Sequence, residues 1–216
     1  IIIKLGKSFS HLSLLNENTI VAGASALDKN VSNFALENSL TGFEFLSCIP
    51  GTIGGGIAMN CGCYGYDISQ IFYSLKAIDF NGETKTFGKN EIKFFYRGSD
   101  LPRNLIFISA VLEGKVSNQE EIKNKQHSLQ IKKNKSQPSK IKTCGSTFKN
   151  PENKKAWELI KDSGCAGMSV GDAYISEKHC NFFVNKGNAK FEDIKKLINF
   201  VSKCVFEKTG VKFETE

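Results

Sequence analysis

The sequence predicts an α+β protein built as two units that divide near residue 138. Three observations carry this expectation. From Ile68 to Asp79 the residues Ile71, Tyr73, Leu75 and Ala77 fall on alternate positions, and Asn81-Gly82 then turns the chain into a return strand, Thr84 to Phe87. From Phe191 to Lys208 the apolar positions 194, 197, 198, 201 and 205 recur at the helical period. Between these lies a polar stretch from Glu113 to Lys133, read as a long exposed bridging helix, and the chain changes character after Gln137-Pro138-Ser139.

Taken in order, Leu5 to Phe9, Leu12 to Leu15 and Thr19 to Ala22 read as short strands separated by polar turns. Ala26 to Asn38 carries apolar residues at 27, 31, 34 and 35 and reads as a helix. Gly42 to Leu46 leads into a glycine-rich loop, after which Ile57-Ala58-Met59-Asn60 opens a helix. Lys89 to Phe95 is short and helical or irregular, and Asn104 to Leu112 is a buried strand. In the second unit Ala156 to Asp162 is a short helix stopped by Ser163-Gly164. Met168 to Ile175, Phe182 to Val184 and the tail Val211 to Glu216 read as strands. The opening Ile1-Ile2-Ile3-Lys4-Leu5 has the look of an interior strand, so a preceding segment is expected.

Composition bounds the function. A chain of 216 residues with 40% hydrophobic and 24% charged residues can bury a core without staples. No apolar run approaches the roughly 20 residues of a membrane span, and nothing resembles a signal peptide. The seven cysteines show no CxxC spacing and read as small buried hydrophobes in a reducing cytoplasm, with no metal site. The formal charge of +7 suits a polyanionic partner, either nucleic acid or a small molecule carrying phosphates. No strand interleaves basic and aromatic residues as an RNA-binding surface would.

The most informative stretch is Ile49-Pro50-Gly51-Thr52-Ile53-Gly54-Gly55-Gly56. Glycine belongs where backbone turns through positive φ or comes within hydrogen-bond distance of a ligand. Successive exposed N–H groups make a concave anion site, and a helix start adds positive potential. The loop is therefore read as a cradle for a pyrophosphate, with a tight packing corner as the alternative. A nucleotide triphosphatase loop is excluded by the absence of Gly-Lys-Ser/Thr, and a Rossmann site by the absence of a βαβ unit with a downstream acid.

Four blocks occur in order: the glycine loop continued by Asn60-Cys61-Gly62-Cys63-Tyr64-Gly65, then Phe95-Tyr96-Arg97-Gly98-Ser99, then Cys144-Gly145-Ser146-Thr147-Phe148-Lys149-Asn150-Pro151, then Ser176-Glu177-Lys178-His179-Cys180-Asn181-Phe182. Together they resemble the UDP-N-acetylenolpyruvoylglucosamine reductase (MurB) family. No insertion separates the Tyr-Arg and Gly-Ser blocks, which is similar to the family's shorter, second type. The resemblance implies a partial FAD-binding domain of the vanillyl-alcohol-oxidase/PCMH type over residues 1–118, a helical linker over 119–138 and a smaller α+β substrate-binding domain over 139–216. An earlier Gly-rich segment of the family, which helps hold the FAD pyrophosphate, is expected before Ile1.

It further implies a cytoplasmic, monomeric flavoenzyme of peptidoglycan synthesis, using FAD and NADPH on a UDP-sugar and binding neither nucleic acid nor membrane. NADPH reduces the flavin, hydride passes to the enolpyruvyl alkene, and a protein group protonates the carbon beside the carboxylate. Ser146 matches the family's proton donor. Arg97 matches the arginine of its Tyr-Arg-Asp-Ser motif, with Gly98 standing where the family commonly has Asp. Glu216 matches the C-terminal acid, and the alternative register selects Glu214. The resemblance assigns cofactor binding to Pro50, Gly51, Thr52, Ile53, Gly54, Gly55, Asn60, Gly62 and Tyr64, and substrate binding to Lys149 and Asn150. Other readings are a flavin oxidoreductase of the same fold with another substrate, or a non-catalytic fragment that binds UDP-sugar.

Overall fold

Backbone pairing between distant segments builds the first sheet. The computed structural model describes residues 2–216, in two compact units, one ending at Lys132 and one running from Lys133 to Glu216. In the first unit, β1 (Leu12–Asn16), β2 (Thr19–Gly23), β3 (Phe72–Asp79), β4 (Thr84–Gly88) and β5 (Leu105–Glu113) form one antiparallel sheet ordered β1-β2-β5-β3-β4. The β3–β4 hairpin turns at Asn81-Gly82 as the sequence predicts, with Gly82 at φ +87°. Alternation along β3 differs from the expectation at its start. Phe72 is buried and Tyr73 is exposed, because β5 pairs Leu112 with Phe72 but Val111 with Ser74, leaving Tyr73 as an extra residue.

Three other segments depart from the sequence reading. Residues 2–6 form no strand, Ile1 lies outside the described residues, and Lys7–Ser10 is a 3-10 turn rather than part of a strand. Strand β5 was expected to be buried, yet it is half-buried along most of its length and only Ala110 and Leu112 are fully inside. The polar helix expected from Glu113 to Lys133 begins only at Gln119 and runs to Ser136 (α3, Gln119–Ser136), because Glu113 ends β5 and Lys115–Val116 pairs with Leu40–Thr41, and the helix is packed rather than exposed throughout. Ile122, Gln126 and Leu129 line one buried stripe. Gln126 Nε2 donates to Ser32 Oγ at 2.8 Å, and Lys125 pairs with the buried Glu44 at 3.4 Å.

The helix α1 (Asp28–Glu37) packs Val31 and Ala35 into the core, with Ile20, Phe45, Leu46, Ile53, Ile57, Phe72 and Leu75. The helix α2 (Ile53–Met59) begins four residues earlier than predicted, so three glycines lie inside it. Glycine is a poor helix former, and tertiary bonds hold the start. Ile53 N–H donates to the Ala26 carbonyl at 3.0 Å and Gly54 N–H to the Ala24 carbonyl at 2.9 Å.

In the second unit β6 (Lys142–Ser146), β7 (Ser169–Val170), β8 (Ala173–Ile175) and β9 (Phe182–Asn185) form an antiparallel sheet ordered β6-β9-β8-β7. The continuous strand expected from Met168 to Ile175 is thus a tight hairpin, turning at Gly171 with φ +54°. Helix α5 (Phe191–Thr209) packs on β7 and β8, and helix α4 (Ala156–Asp162) packs on α5. Ile160, Leu197, Val201 and Val205 meet Phe148, Ile175 and Phe183 in a separate core. The tail forms a single bridge, Thr215 to Phe148, instead of a full strand. All seven cysteines are free; only Cys48, Cys165 and Cys180 are buried as expected, Cys61, Cys63 and Cys204 are half-buried, and Cys144 is exposed. No helix among the described residues is long and apolar enough to cross a membrane.

Candidate active site

The glycines of the 49–56 loop have different reasons to be glycine. A Cβ on Gly54 would lie 3.0 Å from the Ala24 carbonyl oxygen, and one on Gly56 would lie 2.9 Å from Cys61 Sγ. Those two positions are fixed by packing. Gly55 is exposed, and a Cβ there would meet only Thr52 Oγ1 at an ordinary 3.7 Å. An exposed helical glycine with no internal partner costs stability and leaves backbone bare for something outside the chain. The cradle narrows accordingly, because the N–H groups of Ile53 and Gly54 already donate to Ala26 and Ala24.

Asn60 ends α2 in the left-handed region, at φ +41°. Its side chain is buried and committed to the fold: Nδ2 donates to the Phe95 carbonyl at 3.1 Å, and Oδ1 accepts from Ser69 N–H at 3.0 Å. That clamp joins the end of α2 to the hairpin Phe94–Phe95/Gly98–Ser99, whose turn carries Arg97 at φ +56°. Arg97 Nη2 donates to the Gly62 carbonyl at 2.9 Å, and its guanidinium lies over the Tyr96 ring at 4.9 Å. Backbone and ring thus steady the guanidinium fork. Gly98 has a packing reason of its own, since a Cβ there would lie 2.2 Å from Phe95 Cε2. Gly62 leads into a two-residue hairpin turning at Tyr64 (φ +56°) and Gly65 (φ +86°), which leaves Tyr64 exposed at its tip; Pro50 and Thr52 lie on the surface and half-buried respectively. Cys61, next after Asn60, is no nucleophile: burial first, then the Asp28 charge, pushes its thiol up to about 12.

In the second unit a left-handed Gly145 (φ +92°) and an irregular register bring Ser146, the last residue of β6, opposite Phe182. Asn181, buried, then holds the next residues. Its Oδ1 accepts from Phe148 N–H at 2.9 Å, its Nδ2 donates to the Phe148 carbonyl at 2.7 Å, and its own carbonyl accepts from Thr147 N–H at 2.8 Å. The tail pairs on the opposite edge. Lys149 N–H donates to the Glu214 carbonyl at 2.9 Å, and Glu216 N–H donates to the Thr147 carbonyl at 3.0 Å. Glu216 therefore stands beside the residue that follows Ser146, while Glu214 is two positions further on and engages Lys149 Nζ at 2.6 Å. Asn150 Oδ1 accepts the N–H of Ala156, the first residue of α4, which ties it to that helix start.

The structure thus brings Ser146, Lys149, Glu214 and Glu216 together in one unit, and the glycine loop, Asn60, Gly62 and Arg97 in the other. Asn181 lies inside the fourth motif block, and the sequence reading gives it no role. Asp28, wholly buried beside the glycine loop, gave no signal, since an acid in the first turn of a helix is ordinary.

Comparison with known proteins agrees with this architecture. Residues 137–216 match the C-terminal domain of UDP-N-acetylenolpyruvoylglucosamine reductase, and residues 1–88 match an FAD binding domain. The UDP-N-acetylenolpyruvoylglucosamine reductase of Pelagibacter ubique (strain HTCC1062) is 53% identical over 219 residues, covering 100% of this chain and 72% of that protein. That of Rickettsia bellii (strain RML369-C) is 44% identical over 214 residues, covering 99% and 71%. The crystal structure of UDP-N-acetylenolpyruvylglucosamine reductase (MurB) from Thermus caldophilus superposes with a TM-score of 0.87 at 30% identity, covering 99% of this chain and 76% of that one. With both units matched and identity sustained along its length, the chain belongs to the UDP-N-acetylenolpyruvoylglucosamine reductase (MurB) family.

Proposed function

We propose that this chain is an FAD-dependent, NADPH-driven reductase that converts UDP-N-acetylglucosamine enolpyruvate to UDP-N-acetylmuramate for peptidoglycan synthesis. The observation that carries the reading is the pairing of Glu216 N–H with the Thr147 carbonyl, at 3.0 Å. It sets a carboxylate at the register position next to Ser146 in a chain of this family.

The first unit holds the cofactor. Gly51, Thr52 and Gly55 offer backbone to the FAD diphosphate, Pro50, Ile53 and Gly54 shape the loop, and Gly62 and Tyr64 form its neighbour. The residues fit such a group because Gly55 is bare where packing does not require it. FAD, when bound, supplies the hydride carrier between NADPH and the enolpyruvyl alkene. Arg97 takes the substrate carboxylate, where negative charge grows as the alkene is reduced. The Gly62 carbonyl and the Tyr96 ring fix its direction.

Ser146 donates the proton to the carbon beside the carboxylate. A hydroxyl is a weak acid, so Glu216 assists as the neighbouring carboxylate that takes a proton from solvent and passes it to the serine oxygen as Ser146 gives its own proton to the carbon. Asn150 serves this site through the start of α4, and Lys149, held by Glu214, offers positive charge to the UDP-sugar diphosphate. Such a substrate accounts for the formal charge of +7 without nucleic acid or membrane. We read the enzyme as a cytoplasmic monomer, with residues 1–118 as flavin domain, 119–138 as linker and 139–216 as substrate domain. The test is incubation with FAD, NADPH and the enolpyruvyl substrate, followed by mass spectrometry. The reading requires a product heavier by two hydrogens that forms only when FAD is present. Flavin that binds and is reduced by NADPH without any product would refute the assignment of substrate.

A further inference from the structure

Asp28, the first residue of α1, lies under the glycine loop. Its side chain is wholly buried, and neither carboxyl oxygen has a hydrogen-bond partner among the described residues. Both oxygens sit against the loop. A Cβ on Gly51 would lie 2.7 Å from Oδ2, and one on Gly56 would lie 3.6 Å from Oδ1. The Asp28 N–H donates to the Gly51 carbonyl at 3.1 Å, so acid and loop are packed as one piece. Glycine at 51 is required by the carboxyl beneath it.

A carboxylate buried without partners is costly, and a second anion brought to the loop makes it costlier. Burial pushes the Asp28 carboxyl up to about 7. Few charged groups face it. The loop from Ile49 to Gly56 contributes none, and Lys29, next on α1, is exposed. From the segment after α2 comes Cys61, protonated because burial and Asp28 push it up to about 12, with Arg97 and Asp67 acting on that thiol from beyond. Asp28 is thus the group of this cluster that changes charge near neutral pH.

We propose that Asp28 is a positioning residue for the cofactor: the glycine loop holds the FAD diphosphate only while Asp28 carries its proton. The inference rests on the reading of this loop as the diphosphate site. With Asp28 neutral, the loop backbone meets the diphosphate with its own dipoles alone. With Asp28 ionised, a negative charge stands behind that backbone in a low-dielectric interior and opposes the ligand. By linkage, a bound diphosphate holds the Asp28 proton more tightly.

The experiment is an FAD titration, followed by flavin fluorescence, from about pH 5.5 to about pH 9 on the wild-type chain and on Asp28→Asn, which keeps shape but has no proton to lose. In the wild type Kd is expected to be level on the acid side and to rise by up to about tenfold per pH unit above about pH 7. In the variant it should stay level, near the wild-type acid-side value. A level Kd in the wild type, or the same rise in both proteins, overturns the proposal and leaves the diphosphate site standing. No FAD binding at any pH overturns both. A readout without flavin is the thermal midpoint, which in the wild type should fall from about pH 5.5 to about pH 7 and level off above that, and should show no such fall in Asp28→Asn; equal pH dependence in both proteins also overturns the proposal.

Discussion

Replacing Gly55 by alanine separates what the fold needs from what the cofactor needs. The added Cβ meets only Thr52 Oγ1, at 3.7 Å, and points away from the core. A glycine inside a helix costs roughly 0.5–1 kcal/mol relative to alanine. Gly55→Ala should therefore stabilise the first unit by about that amount, measured as a raised urea midpoint at unchanged slope. Flavin affinity should move the other way. A methyl group where diphosphate oxygens meet bare backbone removes at least one hydrogen bond to a charged group, about 1.5–3 kcal/mol, which is roughly a 10- to 100-fold rise in Kd. A more stable variant with unchanged flavin affinity would refute the role given to Gly55. A destabilised variant would refute the claim that the position is open.

Other perturbations test other parts of the account. Asn181→Ala leaves the N–H and carbonyl of buried Phe148 without partners, and at about 1–3 kcal/mol for each orphan the second unit should lose about 3 kcal/mol in urea unfolding; an unchanged midpoint would contradict the clamp. Arg97→Lys keeps the charge but loses the fork, so kcat/KM should fall by roughly 10²- to 10³-fold while flavin reduction by NADPH stays at the wild-type rate. For Asp28 the folded carboxyl lies above its ordinary 3.8, at about 7. Its contribution to stability is therefore complete below about pH 4 and lost as pH rises through about 7, with an upper bound of about 4 kcal/mol. Chemical unfolding at a series of pH values should show this slope in the wild type and lose it in Asp28→Asn.

Much of the fold could be read from the chain because local signals agreed with tertiary demands. The Asn81-Gly82 turn, the apolar stripe of α5 and the ordered motif blocks all stand where the sequence puts them. The failures share a cause, which is that distant partners decide. The start of α2 is written in glycines that disfavour a helix, and it is held by the carbonyls of Ala24 and Ala26. Tyr73 is turned outward by a bulge that only the register with β5 reveals. The buried stripe of α3 includes Gln126, whose partner Ser32 lies 94 residues away, so no apolar period announces it. Strand β6, Lys-Thr-Cys-Gly-Ser, has neither alternation nor bulk, and its pairing with β9 makes it a strand. At the site, the residue types were legible and the clamps on them were not. Asn60, Asn150 and Asn181 all turn their amides to backbone groups that the sequence does not place beside them.

The central claim is that Ser146 protonates the substrate after hydride has left the flavin. Stopped-flow absorbance of the flavin band separates the two halves of that sequence in wild type and in Ser146→Ala. The account predicts that NADPH bleaches the band at the same rate in both proteins. It predicts that the enolpyruvyl substrate restores the band in the wild type and leaves it bleached, or slower to return by roughly 10²-fold or more, in the variant. Equal rates of return in both proteins would contradict the assignment of the proton to Ser146.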